Sequence, residues 1–181
     1  MRLLQPRFRK EVFYVMVADG YVILGDSAFM TIPMMGSGMA GSMLAAKILS
    51  EILNGKDDFS KVNLYRYQVR FMKEIGAKNS GIDVLKNWMI NIDADKLSFF
   101  MNKKIIGEKE FSAAGSGNGV KLTPNDIMQK IAAGFAHLPL LFNLIGAVSK
   151  MKKQMAIGAE IPDEWNKEAF LEWKKEYEKN F

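Results

Sequence analysis

The run Gly36-Ser37-Gly38-Met39-Ala40-Gly41 spells GxGxxG, a pattern in which glycines let the backbone close around a phosphate. The helix that follows such a run offers unpaired N–H groups and the positive end of its dipole to an anion. A dinucleotide-binding first turn also needs a strand running straight into the first glycine, and a second strand after the helix that ends in an acid. Here the residues from Gly25 to Met35, Pro33 among them, stand between the nearest apolar run and Gly36. Asp57 and Asp58 have no apolar run before them. The first-turn reading is therefore rejected. Upstream, Val22-Ile23-Leu24-Gly25-Asp26 reads as a strand ending in Gly-Asp. Gly25 would let the backbone pass close to a ligand, and a carboxylate at Asp26 can accept hydrogen bonds from sugar-like hydroxyls. The order is thus a hydroxyl acceptor, a loop with Pro33, and then donors for negative charge at Gly36, Ser37, Gly38 and Met39.

Other chemistries find little support in the sequence. With no cysteine and one histidine, thiol nucleophiles, iron–sulfur ligation and a His-based metal cluster are all excluded as expectations, and no metal ligand is assigned. His137 lies in an apolar segment, reads as hydrogen-bonded scaffold, and leaves no catalytic residue to name. The net charge of +5 is spread over short pairs such as Lys103-Lys104 and Lys174-Lys175, which read as solvated helix faces rather than a nucleic-acid stripe. The N-terminus lacks the apolar core of a secretory signal, and the absence of cysteine suits a reducing cytoplasm. The apolar stretch from Ile131 to Ser149 holds His137, Pro139 and Asn143, which are costly in a spanning helix. Followed by Lys150, Lys152 and Lys153, it reads either as a buried core helix or as a segment resting on an anionic membrane surface.

The elements that must position the motif follow from periodicity. Phe13 to Ala18 and Tyr21 to Leu24 are β-branched and aromatic runs around Asp19-Gly20, a hairpin signal. From Gly38 the apolar residues Met39, Met43, Leu44, Ala46, Ile48, Leu49 and Ile52 predict a helix buried on most sides and stopped at Asn54-Gly55. Helical spacing continues through Leu64, Tyr67, Phe71 and Ile75, then Ile82, Leu85, Met89 and Ile92. Ser112 to Val120 reads as a loop, Thr123-Pro124-Asn125-Asp126 as a helix start, and Pro139 as a restart within the apolar segment. The last helix is expected from Pro162-Asp163-Glu164, with Trp165, Ala169, Trp173 and Tyr177 as a packing stripe. The fold class is mainly α: a short β-hairpin at the N-terminus followed by a helical bundle. A shift in composition between Gly55 and Ser60 divides residues 1–56 from residues 57–181.

Taken together, Gly25-Asp26-Ser27-Ala28, Pro33 and Gly36-Ser37-Gly38-Met39 resemble the second flavin-binding motif of the aromatic hydroxylase-like and geranylgeranyl reductase flavoproteins, whose common pattern is GDAA, proline, GxG. Pro6-Arg7 and Ala18-Asp19-Gly20 look like the reductase branch, and Ser27 in place of alanine is a mild departure. The resemblance implies FAD as cofactor, with Gly25, Asp26, Pro33, Gly36, Ser37, Gly38 and Met39 contacting it. It implies that residues 1–56 are the C-terminal piece of an FAD-binding domain and residues 57–181 a helical C-terminal domain. The chain would then be a fragment of a larger α/β flavoprotein. Such an oxidoreductase reduces C=C bonds of a polyprenyl lipid by hydride transfer. The missing N-terminal FAD-binding and substrate domains would be its partners, and the fragment alone is expected to be inactive and to retain no FAD. The 13 methionines suit an adaptable wall around a hydrocarbon and equally suit core filling. The strand edges invite pairing between chains. The alternative is a stand-alone helical interaction module without cofactor, in which Gly25-Asp26 is a strand-end turn and the glycine-rich helix packs closely on a partner.

Overall fold

The computed structural model describes residues 15–28, 30–34, 36–55, 57–108, 129, 132 and 137–179. The hairpin forms where Asp19-Gly20 places it: β1 (Val17–Ala18) pairs antiparallel with β2 (Tyr21–Val22), with Val17 opposite Val22 and Ala18 opposite Tyr21. Gly20 takes the left-handed φ of +68° that such a turn needs. The strands are shorter than the sequence pattern, and the expected start at Phe13 lies outside the described residues.

Six α-helices complete the described architecture: α1 (Met39–Leu53), α2 (Lys61–Phe71), α3 (Ala77–Asn91), α4 (Ala94–Asn102), α5 (Leu138–Ala159) and α6 (Lys167–Glu178). The fold is mainly α with an N-terminal hairpin, as the periodicity predicts. A π turn, Met72–Gly76, joins α2 to α3 without a break in the helical path. α1 ends at Asn54-Gly55, where Gly55 adopts a φ of +69°. Pro139 sits in the first turn of α5, so it starts that helix rather than kinking it. The Ser112–Val120 loop and the Thr123-Pro124-Asn125-Asp126 start lie outside the described residues.

Two expectations need correction. α1 is not buried on most sides: only Ala45, Ile48 and Ile52 are buried, while Met39, Met43 and Leu44 face outward. Periodicity registers which residues are apolar, not whether a neighbour covers them, so apolar residues on more than one side of α1 read as burial. The last helix begins at Lys167 rather than beside Pro162, because the Asn166 side chain accepts hydrogen bonds from the Glu168 and Ala169 N–H groups at 2.9 and 3.0 Å. Its buried stripe is therefore Phe170, Trp173 and Tyr177, with Ala169 exposed and Trp165 ahead of the helix. The short helix α4, capped by Asp93 Oδ1 accepting from Asp95 N–H, has no counterpart in the sequence reading.

One core joins the N-terminal piece to the helices. Met16, Val17, Met30, Ala45 and Ile48 pack with Leu64, Tyr65, Tyr67 and Phe71 of α2 and with Ile157, Phe170 and Tyr177. Polar pins cross the same boundary. Met16 N–H donates to the buried Gln68 Oε1 at 3.0 Å, Gly20 N–H donates to Phe59 O at 2.8 Å, and Lys61 N–H donates to Asp19 Oδ1 at 2.7 Å. α3 and α5 run antiparallel with their backbones close. A Cβ on Gly81 would stand 2.8 Å from Met151 O, and one on Gly158 would stand 2.9 Å from Ala77 Cα.

Candidate functional site

The hairpin delivers the chain to the motif. Tyr67, fully buried on α2, donates its hydroxyl to Ile23 O at 3.3 Å and so fixes the strand end two residues before Gly25. Burial raises the pKa of this phenol above its usual value, which keeps it a hydrogen-bond donor. Gly25 then turns the chain with a φ of +73°, a region disfavoured for any residue with a Cβ, and Gly25–Ala28 forms a single 3-10 turn.

The turn is nailed down by Met30, whose side chain is buried and whose sulfur accepts from Gly25 N–H at 3.1 Å. Next, the Thr31 hydroxyl donates to Asp26 Oδ1 at 2.5 Å. Asp26 is exposed, and its Oδ2 has no partner among the described residues. The loop through Pro33 closes on itself: Gly36 N–H donates to Ile32 O and Ile32 N–H donates to Ser37 O, both at 2.9 Å. Gly36 carries a φ of +65° within this closure.

Closure brings the start of α1 against the loop. A Cβ on Gly38 would lie 2.8 Å from Thr31 Oγ1 and 3.0 Å from Asp26 Oδ1, and one on Gly41 would lie 2.6 Å from Met30 O. At Gly41 a side chain would thus collide with backbone, and at Gly38 it would have to displace the Thr31 and Asp26 side chains. Gly38 is the N-cap of α1, no side chain caps the helix, and its first turn contains no acid. Ser42 Oγ donates to Gly38 O at 2.8 Å and lies 3.9 Å from the Cβ that Gly25 lacks, which ties the two glycines together.

The structure thus brings Asp26 and Gly38 against Thr31 and Gly25 against Met30 and Ser42, closes the loop that contains Pro33 through Gly36 and Ser37, and leaves Met39 82% exposed at the head of α1. The sequence reading missed Thr31, Met30 and Ser42. No spacing or residue type set them apart in the sequence. Chemically, the surface offers a carboxylate oxygen for hydroxyl donors beside a helix start with no side-chain cap, which suits acceptor atoms and negative charge. A flavin nucleotide carries both, hydroxyls on its ribityl chain and negative charge on its phosphates, so this donor set fits FAD.

A second concavity lies elsewhere. α3, α4 and α5 border a cleft of about 1340 Å³ lined by Trp88, Asp95, Phe99, His137, Leu140 and Asn143. Trp88 Nε1–H donates to Asn143 Oδ1 across it at 2.6 Å. His137 is exposed and held edge-on by the Phe99 ring, centroids 4.7 Å apart, rather than by a hydrogen bond from another described residue.

Known proteins are similar to this chain in sequence. The model of the squalene epoxidase family matches residues 11–104, about half of the chain. A digeranylgeranylglycerophospholipid reductase from Sulfolobus acidocaldarius is 31% identical over 145 residues, covering 77% of this chain and 32% of the relative. The chain therefore spans about a third of the length of the curated relative it matches.

Proposed function

The chain belongs to the squalene epoxidase family of FAD-dependent oxidoreductases, and we propose that it forms the second flavin-contacting region and the helical portion of a polyprenyl lipid reductase. The observation that carries the reading is the meeting of Asp26, Thr31 and Gly38 at the head of α1, which turns a sequence motif into a surface of the right chemistry. Support for a reductase in particular comes from the relative's own name, since its similarity extends over 77% of this chain.

In this reading Asp26 Oδ2 accepts from ribityl hydroxyls while Thr31 holds the carboxylate in place. Gly25, Pro33, Gly36 and Ser37 shape the loop, and Gly38 and Met39 present the α1 N–H groups to the pyrimidine edge and the phosphates. Reduced FAD, when bound, would supply a hydride to one carbon of a C=C bond, a proton adding to the other and the flavin being left oxidised. The chain's residues hold and orient the cofactor. Residues 1–56 would belong functionally to the FAD-binding domain and residues 57–181 to the helical one. The outward face of α1, with Met39 and Met43, would pack against the rest of the flavoprotein.

The reading is tested with the protein joined to the region that corresponds to the remaining length of the relative. It should purify with bound FAD and, once the flavin is reduced, add two hydrogens per double bond to a digeranylgeranyl lipid, seen by mass spectrometry. Flavin binding with no hydrogen gained by the lipid would remove the reductase assignment. A colourless preparation that cannot be loaded with FAD would instead favour the alternative, an interaction module using the same α1 face.

A further inference from the structure

We propose that the cleft between α3, α4 and α5 binds a nucleoside phosphate whose base carries an exocyclic amino group, adenosine monophosphate (AMP) being the simplest case. Gly146 gives the first sign. It lies in the middle of α5, where the backbone freedom of glycine is a cost to the helix. Gly41, Gly81 and Gly158 sit in helices because a Cβ on each would stand less than 3.0 Å from the backbone of another segment. Gly146 has no such reason: nothing lies within 4 Å of the Cβ it lacks, and the residue lines the cleft. Bare backbone on the wall of a concave site suits the close approach of a ligand.

The ligand class follows from what surrounds that gap. Trp88 and Phe99 are half-buried and present flat apolar surface. Because Trp88 Nε1–H donates to Asn143 Oδ1, the Asn143 Nδ2 donor is left without a partner among the described residues. Asn91 is engaged the other way: its Nδ2 donates to Asn87 O at 2.7 Å and its Oδ1 remains an acceptor. Charge is divided between the two ends of the cleft. Asp93 and Asp95 stand with Lys96 at the α4 end, two carboxylates against one ammonium, while Lys150 lies on α5 roughly 10 Å beyond Asn143 at 1.5 Å per residue. Gly146 lies between Asn143 and Lys150 on the same face. An apolar occupant would strip water from these amides and charges without replacing the lost hydrogen bonds. A simple anion would leave the aromatic surface unused and would face Asp95. A nucleotide meets each group: the base stacks on Trp88, a ring nitrogen accepts from Asn143 Nδ2, the amino group donates to Asp95 or Asn91, and the phosphate reaches Lys150. Between them the ribose crosses the bare backbone at Gly146.

The site is independent of the flavin reading, and its test needs no flavin. AMP is titrated into the full chain and followed by calorimetry and by tryptophan fluorescence. The wild type should bind AMP, and adenosine and ribose 5-phosphate should each bind at least about tenfold more weakly, since each lacks one of the two anchoring ends. Inosine monophosphate, in which an oxygen replaces the amino group, should also lose about tenfold. Lys150→Glu should weaken AMP about tenfold and leave the weaker binding of adenosine unchanged. Gly146→Leu places a side chain in the cleft and against nothing else in the protein. It should abolish binding while circular dichroism stays native and the melting temperature does not fall. A folded wild type that binds no AMP at millimolar concentration would overturn the proposal. So would ribose 5-phosphate binding as tightly as AMP, the mark of a site for anions alone, or a folded Gly146→Leu protein that binds AMP as the wild type does.

Discussion

Gly41 and Gly146 both lie within helices, yet the space around them differs completely. A Cβ at Gly41 would meet the Met30 carbonyl oxygen at 2.6 Å, whereas nothing lies within 4 Å of the same atom at Gly146. Gly41→Ala should therefore push α1 off the loop that holds Asp26 and destabilise the fold by about 1–3 kcal/mol. Gly146→Ala should stabilise it by up to about 1 kcal/mol through helix propensity alone. Urea unfolding of the two variants checks the contrast. Helix propensity disfavours both glycines alike and cannot tell them apart. The reason at Gly38 and Gly41 is contact with Met30 and Thr31 across a loop, and propensity has no access to such a contact. Asp26 was legible because a carboxylate after a strand-end glycine has a recognisable chemistry. Its partner Thr31 was not, because a hydroxyl residue in a loop looks like any other.

Among the helices, local signals succeeded where the residue concerned acts on its own backbone. Asn54-Gly55 stops α1 and Pro139 opens α5, both as the dihedral preferences of glycine and proline require. The signals misled where two candidates competed: Pro162-Asp163-Glu164 looks like a helix start, but Pro162 is engaged through its carbonyl with the Tyr65 hydroxyl at 3.0 Å, and Asn166 supplies the cap. Asn166→Ala should accordingly cost about 1 kcal/mol and fray α6, read as a lower melting temperature and faster exchange of the Glu168 and Ala169 amides. The pairing of α3 with α5 lies on a different level, since it depends on small residues facing each other across the two helices. Because a Cβ on Gly158 would stand 2.9 Å from Ala77 Cα, Gly158→Val should cost more than about 1 kcal/mol, since the backbone of Ala77 cannot yield as a side chain would. No periodicity argument separates that seam from any other helix face.

At the scale of the molecule, the hairpin, the motif loop and the helices share one core, and two of its phenols report on that core's integrity. Tyr65 and Tyr67 have pKa values raised above the ordinary phenol range by burial, with the charge of Asp163 adding to the effect at Tyr65. Below about pH 10 each phenol is protonated in folded and unfolded chains alike, so these groups contribute no pH dependence there. Above that, the unfolded chain releases protons that the folded chain retains, and stability must fall as pH rises. The urea midpoint should therefore decline above about pH 10, and less steeply in Y65F/Y67F. This core is what holds Asp26 and the head of α1 in fixed relation, and the function proposed for the molecule depends on that relation. Titration of FAD into the apoprotein, carried out with the region corresponding to the rest of the relative and followed by flavin fluorescence, measures it directly. Asp26→Ala should weaken FAD binding by about tenfold or more, the loss of a charge-assisted acceptor, with the fold retained. An Asp26→Ala protein that binds FAD as tightly as the wild type would contradict the assignment of this surface to the flavin.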